Sequence, residues 1–240
     1  MRPYATAQLI GGRENQCDAT AVRTSPSGAR AYVLLDGIGD TPEIREWTRT
    51  ASVRLARAAA RRGDAEAGLR AVYAAYAAEP ERQHPYWRHY LPSAAAVVAV
   101  TAPGKPLTIA WSGDSRAYVL IRGTVQCLTN DHNLRRVWPP HGNRNRITSY
   151  LGSPYTDDEA KAHHGHPAIE SVTRVAENCR LLLASDGAYE PIEEDDSGKP
   201  LSDHLIGDPA ETARAFTETA VSLGGARPDN ATVLIADLRP

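Results

Sequence analysis

Aspartates recur at the ends of apolar runs, each beside a glycine or an asparagine. They are Asp36 in VLLDG, Asp114 in WSGDS, Asp186 in LLLASDGA and Asp229 in PDNATVLIA. Since neighbouring strand ends in one sheet lie about 5 Å apart, carboxylates placed there can converge on one rim. Clustered carboxylates raise one another's pKa unless cations offset their charge, and the hard ions Mg²⁺ and Mn²⁺ prefer oxygen ligands. Asp-Gly and Asp-Asn pairs also form ordinary turns, but their recurrence at four strand ends favours a metal centre.

The segment Gly113–Ala117 offers a different chemistry, because GDSRA nearly matches the G-x-S-x-G elbow that presents a nucleophilic serine. In that elbow a helix follows the serine immediately. Here the apolar, strand-like run AYVLI follows Ser115. The sequence therefore argues against a serine hydrolase.

Apolar runs and helical periodicity indicate the elements that must position these residues. Strands are predicted over Ala31–Leu35, Ala94–Thr101, Leu107–Ser112, Ala117–Ile121, Arg180–Ala184 and Ala231–Leu238. Helices are predicted over Pro42–Arg62, with Thr41 as N-cap and Gly63 as the end, and over about Asp64–Glu79 and Pro209–Leu223. The tight spacing between Ala94 and Ile121 leaves no room for crossover helices and predicts an antiparallel meander. Strands in clusters and helices in separate blocks indicate an α+β layered fold.

A longer string carries a resemblance to a known family. GDSRAYVLIRGTVQCLTNDH, with VLLDG before it and LLLASDG and DNATV after it in that order, resembles the metal-dependent protein phosphatases of the protein phosphatase 2C type. The matched motifs extend from Arg13 to Asp229, nearly the whole chain. The resemblance implies one catalytic domain over residues 1–240, built as a four-layer α-β-β-α sandwich of two packed, mainly antiparallel sheets flanked by helices. It also implies two Mn²⁺ or Mg²⁺ ions in a cleft at one edge of that sandwich.

The roles of the metal ligands follow from the resemblance, residue by residue. Asp36 is similar to the catalytic aspartate that bridges both ions, and Gly37 to the glycine whose carbonyl or bound water completes one ligand shell. Asp186 and Asp229 resemble the pair that holds the second ion. Asp114 resembles the residue associated with a third, weaker metal position.

The phosphate-binding position and several departures lie near the start of the chain. Arg13 stands five residues before Asp18, as the family's phosphate-binding arginine does before an early metal-site aspartate, and a guanidinium fork suits phosphoryl oxygens. Cys17 stands where the family usually has Glu or another polar residue. Ile38 takes the position of a histidine that serves some members as proton donor, and Asp40 interrupts the usual Gly-x-Gly-Gly loop. These departures leave room for weak activity or altered substrate choice.

The chemistry that the resemblance implies is hydrolysis of a phosphomonoester without a covalent intermediate. A water or hydroxide shared by two ions attacks in line, and the ions offset charge on the phosphoryl oxygens. The implied substrates are phosphoserine and phosphothreonine proteins, and a Ser/Thr kinase is the implied signalling partner. A catalytically silent domain that binds phosphorylated partners or regulates a kinase is the alternative, against which the retained Asp36, Asp186 and Asp229 argue.

Composition restricts the class of protein. The 240 residues include 27 Lys and Arg and 29 Asp and Glu, a net charge of −2, and the arginines look unclustered along the chain, so nucleic acid is not an expected partner. The longest apolar run, Ala94–Ala102, is too short to span a membrane, and the N-terminus lacks a signal-peptide pattern. A cytoplasmic monomer with no membrane partner is therefore expected. The three cysteines, Cys17, Cys127 and Cys179, form no CxxC pair, and all are expected to be buried.

Three polar or aromatic stretches lie outside this scheme. The residues from His132 to His166 show no sustained period and predict a surface excursion with short helical pieces, in which His163, His164 and His166 are solvated. The acidic run 193–196 also reads as a solvated loop. Tyr86, Trp87 and Tyr90 either pack over the core or form a docking surface.

Overall fold

The computed structural model describes residues 3–175 and 178–239. The strands are β1 Tyr4–Leu9, β2 Ala19–Thr24, β3 Arg30–Gly37, β4 Ala94–Thr101, β5 Leu107–Ser112, β6 Arg116–Ile121, β7 Thr124–Cys127, β8 Glu170–Arg174, β9 Cys179–Ala184 and β10 Ala231–Leu238. The α-helices are α1 Pro42–Arg62, α2 Ala65–Ala77, α3 Pro80–Gln83, α4 Leu134–Val137, α5 Asp157–His164, α6 Asp186–Glu193 and α7 Pro209–Leu223. Short 3₁₀ helices cover Trp87–His89 and Leu201–Leu205.

Within the described residues the strands form two antiparallel sheets of five strands each. The first sheet has the order β1-β10-β9-β6-β7, and the second has the order β2-β3-β4-β5-β8. Helices α1 and α2 contact the second sheet, whereas α6 and α7 contact the first. The four-layer α+β sandwich that the sequence predicts is confirmed.

Three apolar clusters fill the spaces between these four layers. One joins α1 and α2 to the second sheet, through residues such as Leu55, Leu69 and Val98. Another lies between the sheets, and a third joins α6 and α7 to the first sheet. The strands β4 and β9 are almost continuously apolar because both faces of each are covered.

Helices α1 and α7 begin and end where the sequence predicts, and α2 is one to two residues shorter at each end than predicted. The Thr41 hydroxyl accepts a hydrogen bond from the backbone N–H of Ile44 at 3.4 Å, which caps α1, and Gly63 ends it in the left-handed region at φ +62°. Asp64 is the N-cap of α2, its carboxylate accepting from the Ala67 N–H at 2.7 Å, and not the first helical residue. None of the helices in the described residues is both long and apolar enough to cross a lipid bilayer.

Four strands are not predicted from the sequence, namely β1, β2, β7 and β8, and all four are edge strands. An edge strand keeps part of its surface in solvent, so it needs no continuous apolar run to mark it. The side chains of β1 and β8 alternate between partly buried and exposed along much of each strand. The signal for the central strands is strong because these are covered on both faces.

The predicted antiparallel meander over Ala94–Ile121 is wrong at its last step. β4 pairs with β5, but β6 pairs with β9 and β7 in the other sheet. The chain changes sheet at Gly113, whose φ of +126° favours glycine and whose ideal Cβ would lie 2.4 Å from the Cβ of Ala95. Asp114 is thereby carried to the gap between the sheets.

Several side-chain predictions also need correction. Cys17 is buried as expected, but Cys127 is exposed because β7 is an edge strand, and Cys179, the first residue of β9, is only partly buried. His166 is only 1% exposed: its ring stacks on His132 at 4.3 Å and shares a hydrogen bond with the Thr148 hydroxyl at 2.8 Å. His166 is therefore buried within the segment from His132 to His166 and is not solvated as expected.

The acidic run belongs partly to α6, which ends at Glu193. The Glu193 carboxylate accepts hydrogen bonds from Arg116 and from the Tyr118 hydroxyl, both at 2.7 Å. Of the aromatic side chains left open by the sequence, Tyr86, Trp87 and Tyr90 are all more than half exposed, so they do not pack over the core.

Candidate functional site

The predicted site residues meet at one edge of the sandwich, in a cleft of about 860 Å³. The cleft is lined by six of the seven predicted residues, namely Arg13, Asp36, Gly37, Asp114, Asp186 and Asp229. The seventh, Asp18, is 3% exposed, and its charge acts on Asp36 in the same cluster. The sequence places these residues at separate strand ends, and the fold gathers them.

The carboxylates come from both sheets rather than from one rim. Asp36 lies on β3, and Asp18 directly precedes β2, whose first residue Ala19 is paired with Leu35. Asp186 follows β9 as the first residue of α6, and Asp229 directly precedes β10. The acidic cluster therefore spans the opening between the two sheets. The expectation that the carboxylates lie on neighbouring strand ends of a single sheet is wrong in this respect.

Two glycines allow the backbone to close around the cluster. An ideal Cβ on Gly37 would lie 2.5 Å from the carbonyl oxygen of Cys17, and one on Gly187 would lie 2.3 Å from that of Asn230. Distances this short exclude a side chain unless the backbone shifts. Gly37 brings the Asp36 strand end against the Cys17 segment, and Gly187 brings the start of α6 against Asp229.

Burial and mutual repulsion raise the pKa of the clustered carboxyl groups. Burial, followed by the charges of Asp186 and Asp229, raises the pKa of Asp18 to about 7. Burial first, and then neighbouring carboxylates, also place the pKa values of Asp36 and Asp114 well above the ordinary range. In the described part of the chain, both carboxylate oxygens of Asp18 and Oδ1 of Asp114 are buried without a hydrogen-bond partner.

Buried carboxylate oxygens without protein donors fit a hard divalent cation in their chemistry. As the side chains stand, however, no group of three or more His, Cys, Asp or Glu among residues 3–175 and 178–239 is arranged so that it could hold a metal ion. Asp229 instead pairs with Arg13. The gathering of the carboxylates in one cleft is thus a structural finding, whereas metal coordination by them stays a prediction.

Arg13 lies at the rim of the cleft, where Nη2 donates to Oδ2 of Asp229. The loop that carries Arg13 is fixed by Asp40, whose carboxylate accepts from the backbone N–H groups of Glu14 at 3.0 Å and Asn15 at 2.7 Å. These hydrogen bonds, that from Glu14 first, lower the pKa of Asp40. Asp40, which from the sequence is only a departure from the family pattern, therefore positions the candidate phosphate-binding arginine.

Asn230 is a second positioning residue that sequence reasoning misses, although it stands in the quoted motif DNATV. Its Oδ1 accepts from the backbone N–H of Cys17 at 2.7 Å, and its Nδ2 donates to the carbonyl of Ile10 at 2.9 Å. The side chain is 5% exposed. One asparagine thus ties both ends of the segment that carries Arg13 and Asp18.

The wall of the cleft contains a further carboxylate, Glu190, one helical turn beyond Asp186 on α6. Burial and then the charge of Asp186 raise the pKa of Glu190 to about 7, although Arg144 lies 3.3 Å from its carboxylate. Arg144 also pairs with Glu194. The i, i+4 spacing would have revealed Glu190 from the sequence if α6 had been predicted.

The lining excludes the serine-elbow chemistry. Ser115 is 1% exposed and is followed directly by β6, so it has neither the position nor the helix that an elbow needs. Among the described residues that line the cleft there is no Ser, Thr, Cys or His. Ile38 does line it and is 39% exposed, so its position supplies no proton donor.

Comparison of the sequence with known proteins gives a partial match to a bacterial phosphatase. A stretch of 146 residues, 59% of this chain, is 30% identical to the serine/threonine protein phosphatase PstP of Mycobacterium tuberculosis. The match covers 27% of that relative, so the chain corresponds to about a quarter of its length. No family model matches the chain.

Comparison of the structures gives matches over nearly the whole chain. The phosphatase PstP/Ppp of Mycobacterium tuberculosis has a TM-score of 0.69 at 27% identity, covering 99% of this chain and 98% of that one. MsPP of Mycobacterium smegmatis, a PPM Ser-Thr phosphatase solved in complex with cacodylate, has a TM-score of 0.71 at 25% identity, covering 98% and 97%. PppA, a key regulatory component of T6SS in Pseudomonas aeruginosa, shares the fold, with a TM-score of 0.70 at 24% identity over 98% and 97% of the two chains.

Proposed function

Since the chain has the fold of the bacterial PPM serine/threonine phosphatases, we propose that it is a metal-dependent phosphatase that hydrolyses phosphoserine and phosphothreonine in proteins. One observation carries the proposal. Aspartates from both sheets share one open cleft, and buried carboxylate oxygens of Asp18 and Asp114 have no hydrogen-bond donor within the described residues. Such a concentration of negative charge is unfavourable by itself and becomes favourable when cations bind to it.

The proposed ions are two Mn²⁺ or Mg²⁺, held by Asp18, Asp36, the Gly37 carbonyl, Asp186 and Asp229, with Asp114 at a third position. When bound, such a pair supplies a water of lowered pKa and offsets charge on the phosphoryl oxygens. No hydroxyl, thiol or imidazole among the described residues lines the cleft, so the nucleophiles left are a water and the carboxylates. The proposal assigns the attack to the water and keeps the carboxylates as metal ligands.

Arg13 is proposed to bind the phosphoryl group. Its ion pair with Asp229 uses Nη2, and the described residues give its other N–H groups no hydrogen-bond partner. A guanidinium has five N–H donors, so most of the fork is free to bind phosphate oxygens. Because its side chain is 40% exposed at the rim, Arg13 can bind the phosphoryl group that enters the cleft while the polypeptide of the substrate stays outside.

The test compares phosphate release from a phosphoserine peptide with and without Mn²⁺ for the parent protein, Asp36→Asn and the matched control Asp203→Asn. Asp203 is exposed and lies outside the cleft lining. We expect Mn²⁺-dependent turnover in the parent and the control, and a loss of about a hundredfold or more in Asp36→Asn with an unchanged circular dichroism spectrum. Near-normal metal-dependent turnover by Asp36→Asn, or metal-independent turnover by the parent, would remove the assignment.

A silent domain that binds phosphorylated partners without hydrolysing them is the second candidate function. It is favoured by one observation, that no three carboxylates among the described residues stand ready to hold an ion. Calorimetry separates the two functions. A folded protein that binds the phosphoserine peptide but neither binds Mn²⁺ nor releases phosphate is the silent domain. A Ser/Thr kinase as signalling partner, a cytoplasmic location and a monomeric state stay predictions from the sequence.

A further inference from the structure

A second surface, which shares no lining residue with the cleft, concentrates positive charge. A groove of about 600 Å³ runs between α1 and α2, on the outer side of the helical layer. Five of its lining residues are arginines, namely Arg49, Arg54, Arg57, Arg61 and Arg62. The expectation that arginines are unclustered is therefore wrong here, because the helix brings residues spaced three and four apart onto one face. We call this surface the arginine groove.

The charge of the arginine groove is not neutralised within the protein. Its five arginines are exposed, and in the described part of the chain none of them forms an ion pair. No carboxylate stands among the described residues that line it. The whole chain has a net charge of only −2, so this is a local positive field on a slightly acidic protein.

Structural roles account for only some of these arginines. Arg61 and Arg62 stand in the last turn of α1, where positive charge is favourable. The guanidinium of Arg54 stacks on Tyr76, 4.6 Å from the ring centroid. Arg49 and Arg57 have no such intramolecular partner among the described residues, so they are free to bind a ligand.

The floor of the groove is apolar. Val53 and Ala58 on α1, and Ala71 and Val72 on α2, line it between the arginines. Val53 and Ala58 are only partly buried where they pack on the core. A concave strip with a small-residue floor and cationic rims is suited to a chain that carries apolar and acidic side chains on one face.

We propose that the arginine groove binds an acidic peptide segment of a partner protein, with its apolar side chains on the Val53 and Ala58 floor and its carboxylates beside Arg49, Arg57 and Arg61. A flat anionic membrane would meet the arginines but would leave the concave apolar floor unfilled. A nucleic acid backbone would likewise offer no apolar groups to contact that floor. The proposal goes beyond the phosphatase activity and does not depend on it, since the groove and the cleft have no lining residue in common.

The test uses a short fluorescein-labelled peptide of glutamate and leucine, with the leucines at helical i, i+3 and i+4 spacing, and measures fluorescence anisotropy at low ionic strength. The parent is compared with the triple variant Arg49→Gln, Arg57→Gln and Arg61→Gln. Since each exposed ion pair contributes a few tenths to one kcal/mol, we expect the triple variant to bind about tenfold more weakly. Added salt is expected to weaken the parent complex as well.

The matched control carries Arg23→Gln and Arg214→Gln, two exposed arginines outside the groove, and is expected to bind like the parent. Replacing the leucines of the probe by serine is expected to weaken binding, because the floor is apolar. Thermal melts of all variants establish that they are folded.

Equal binding by parent and triple variant, no binding of the probe, or equal binding of the serine probe would overturn the proposal. Arginine-dependent binding of phosphatidylserine vesicles or single-stranded DNA, without peptide binding, would overturn it in favour of those ligands. Binding is read without turnover, so this outcome is separate from that of the phosphatase assay.

Discussion

Replacing Asn230 by alanine tests whether the Arg13–Asp18 segment depends on a side chain from the other end of the chain. The asparagine is 5% exposed and makes two hydrogen bonds to backbone groups, the Cys17 N–H at 2.7 Å and the Ile10 carbonyl at 2.9 Å. Alanine leaves the buried Cys17 N–H without a partner. The Ile10 carbonyl loses one hydrogen bond but keeps the one from the Arg13 N–H at 3.4 Å, and Ile10 is exposed. At about 1–3 kcal/mol for the buried unpaired N–H and about 0.5–1.5 kcal/mol for the second lost hydrogen bond, the free energy of unfolding should fall by about 2–4 kcal/mol.

The measurement is urea unfolding followed by tryptophan fluorescence, with the melting temperature as a second readout. For a chain of this size about 2–4 °C is lost per kcal/mol, so a drop of about 5–15 °C is expected. Because Arg13 and Asp18 lie on the released segment, kcat/KM for a phosphoserine peptide should fall as well. The matched control is Asn143→Ala, an exposed asparagine whose Oδ1 accepts from the Asn145 N–H at 2.9 Å, and it should lie within about 0.5 kcal/mol of the parent. If Asn230→Ala unfolds within 1 kcal/mol of the parent and keeps its kcat/KM, the positioning role is refuted.

Three further predictions concern single side chains. Arg13→Ala should raise KM for the phosphoserine peptide more than it lowers kcat, and steady-state kinetics in which KM stays unchanged would contradict phosphate binding by this residue. Arg82→Met should lower the free energy of unfolding by about 3–5 kcal/mol, because the side chain is 2% exposed and donates to two backbone carbonyls at 2.9 Å; a chemical denaturation curve like that of the parent would refute this. Burial and the neighbouring His132 lower the pKa of His166 to about 4. At this site unfolding therefore takes up a proton as the pH falls from about 6.5 to about 4, so His166 contributes a decrease of up to about 3 kcal/mol to the free energy of unfolding across that window. The carboxyl groups of Asp18 and Glu190, whose pKa values are raised to about 7, contribute in the opposite direction. The difference in the free energy of unfolding between the parent and His166→Gln should change by up to about 3 kcal/mol between pH 7 and pH 4 in denaturation curves, and a difference that does not change with pH would exclude His166 as the source.

The chemistry-bearing residues could be found in the sequence because their local surroundings are distinctive. A carboxylate at the end of a buried strand interrupts an apolar run, as Asp36 does within the last two residues of β3 and Asp186 does after β9. The residues that hold them in place have no such signal. Asp40 and Asn230 look like loop and turn residues, and their function lies in hydrogen bonds across 25 to 220 positions of sequence.

The arginine groove and the wall of the cleft also show which features can be seen in the sequence and which depend on the fold. Each arginine of the arginine groove is visible in the sequence, but its lack of an ionic partner depends on what the folded chain places beside it. The position of Glu190 in the wall of the cleft cannot be predicted until α6 is known to begin at Asp186.

The sequence by itself determined the central strands, the long helices with their caps, the α+β class and the identities of the acidic residues, because burial on both faces and capping leave local patterns. Only the tertiary structure decided that β6 belongs to the other sheet, that the edge strands exist, and that the carboxylates meet between two sheets. These features rest on contacts between segments far apart in the chain. Local periodicity carries no record of such contacts, whereas packing of the two sheets fixes all of them at once.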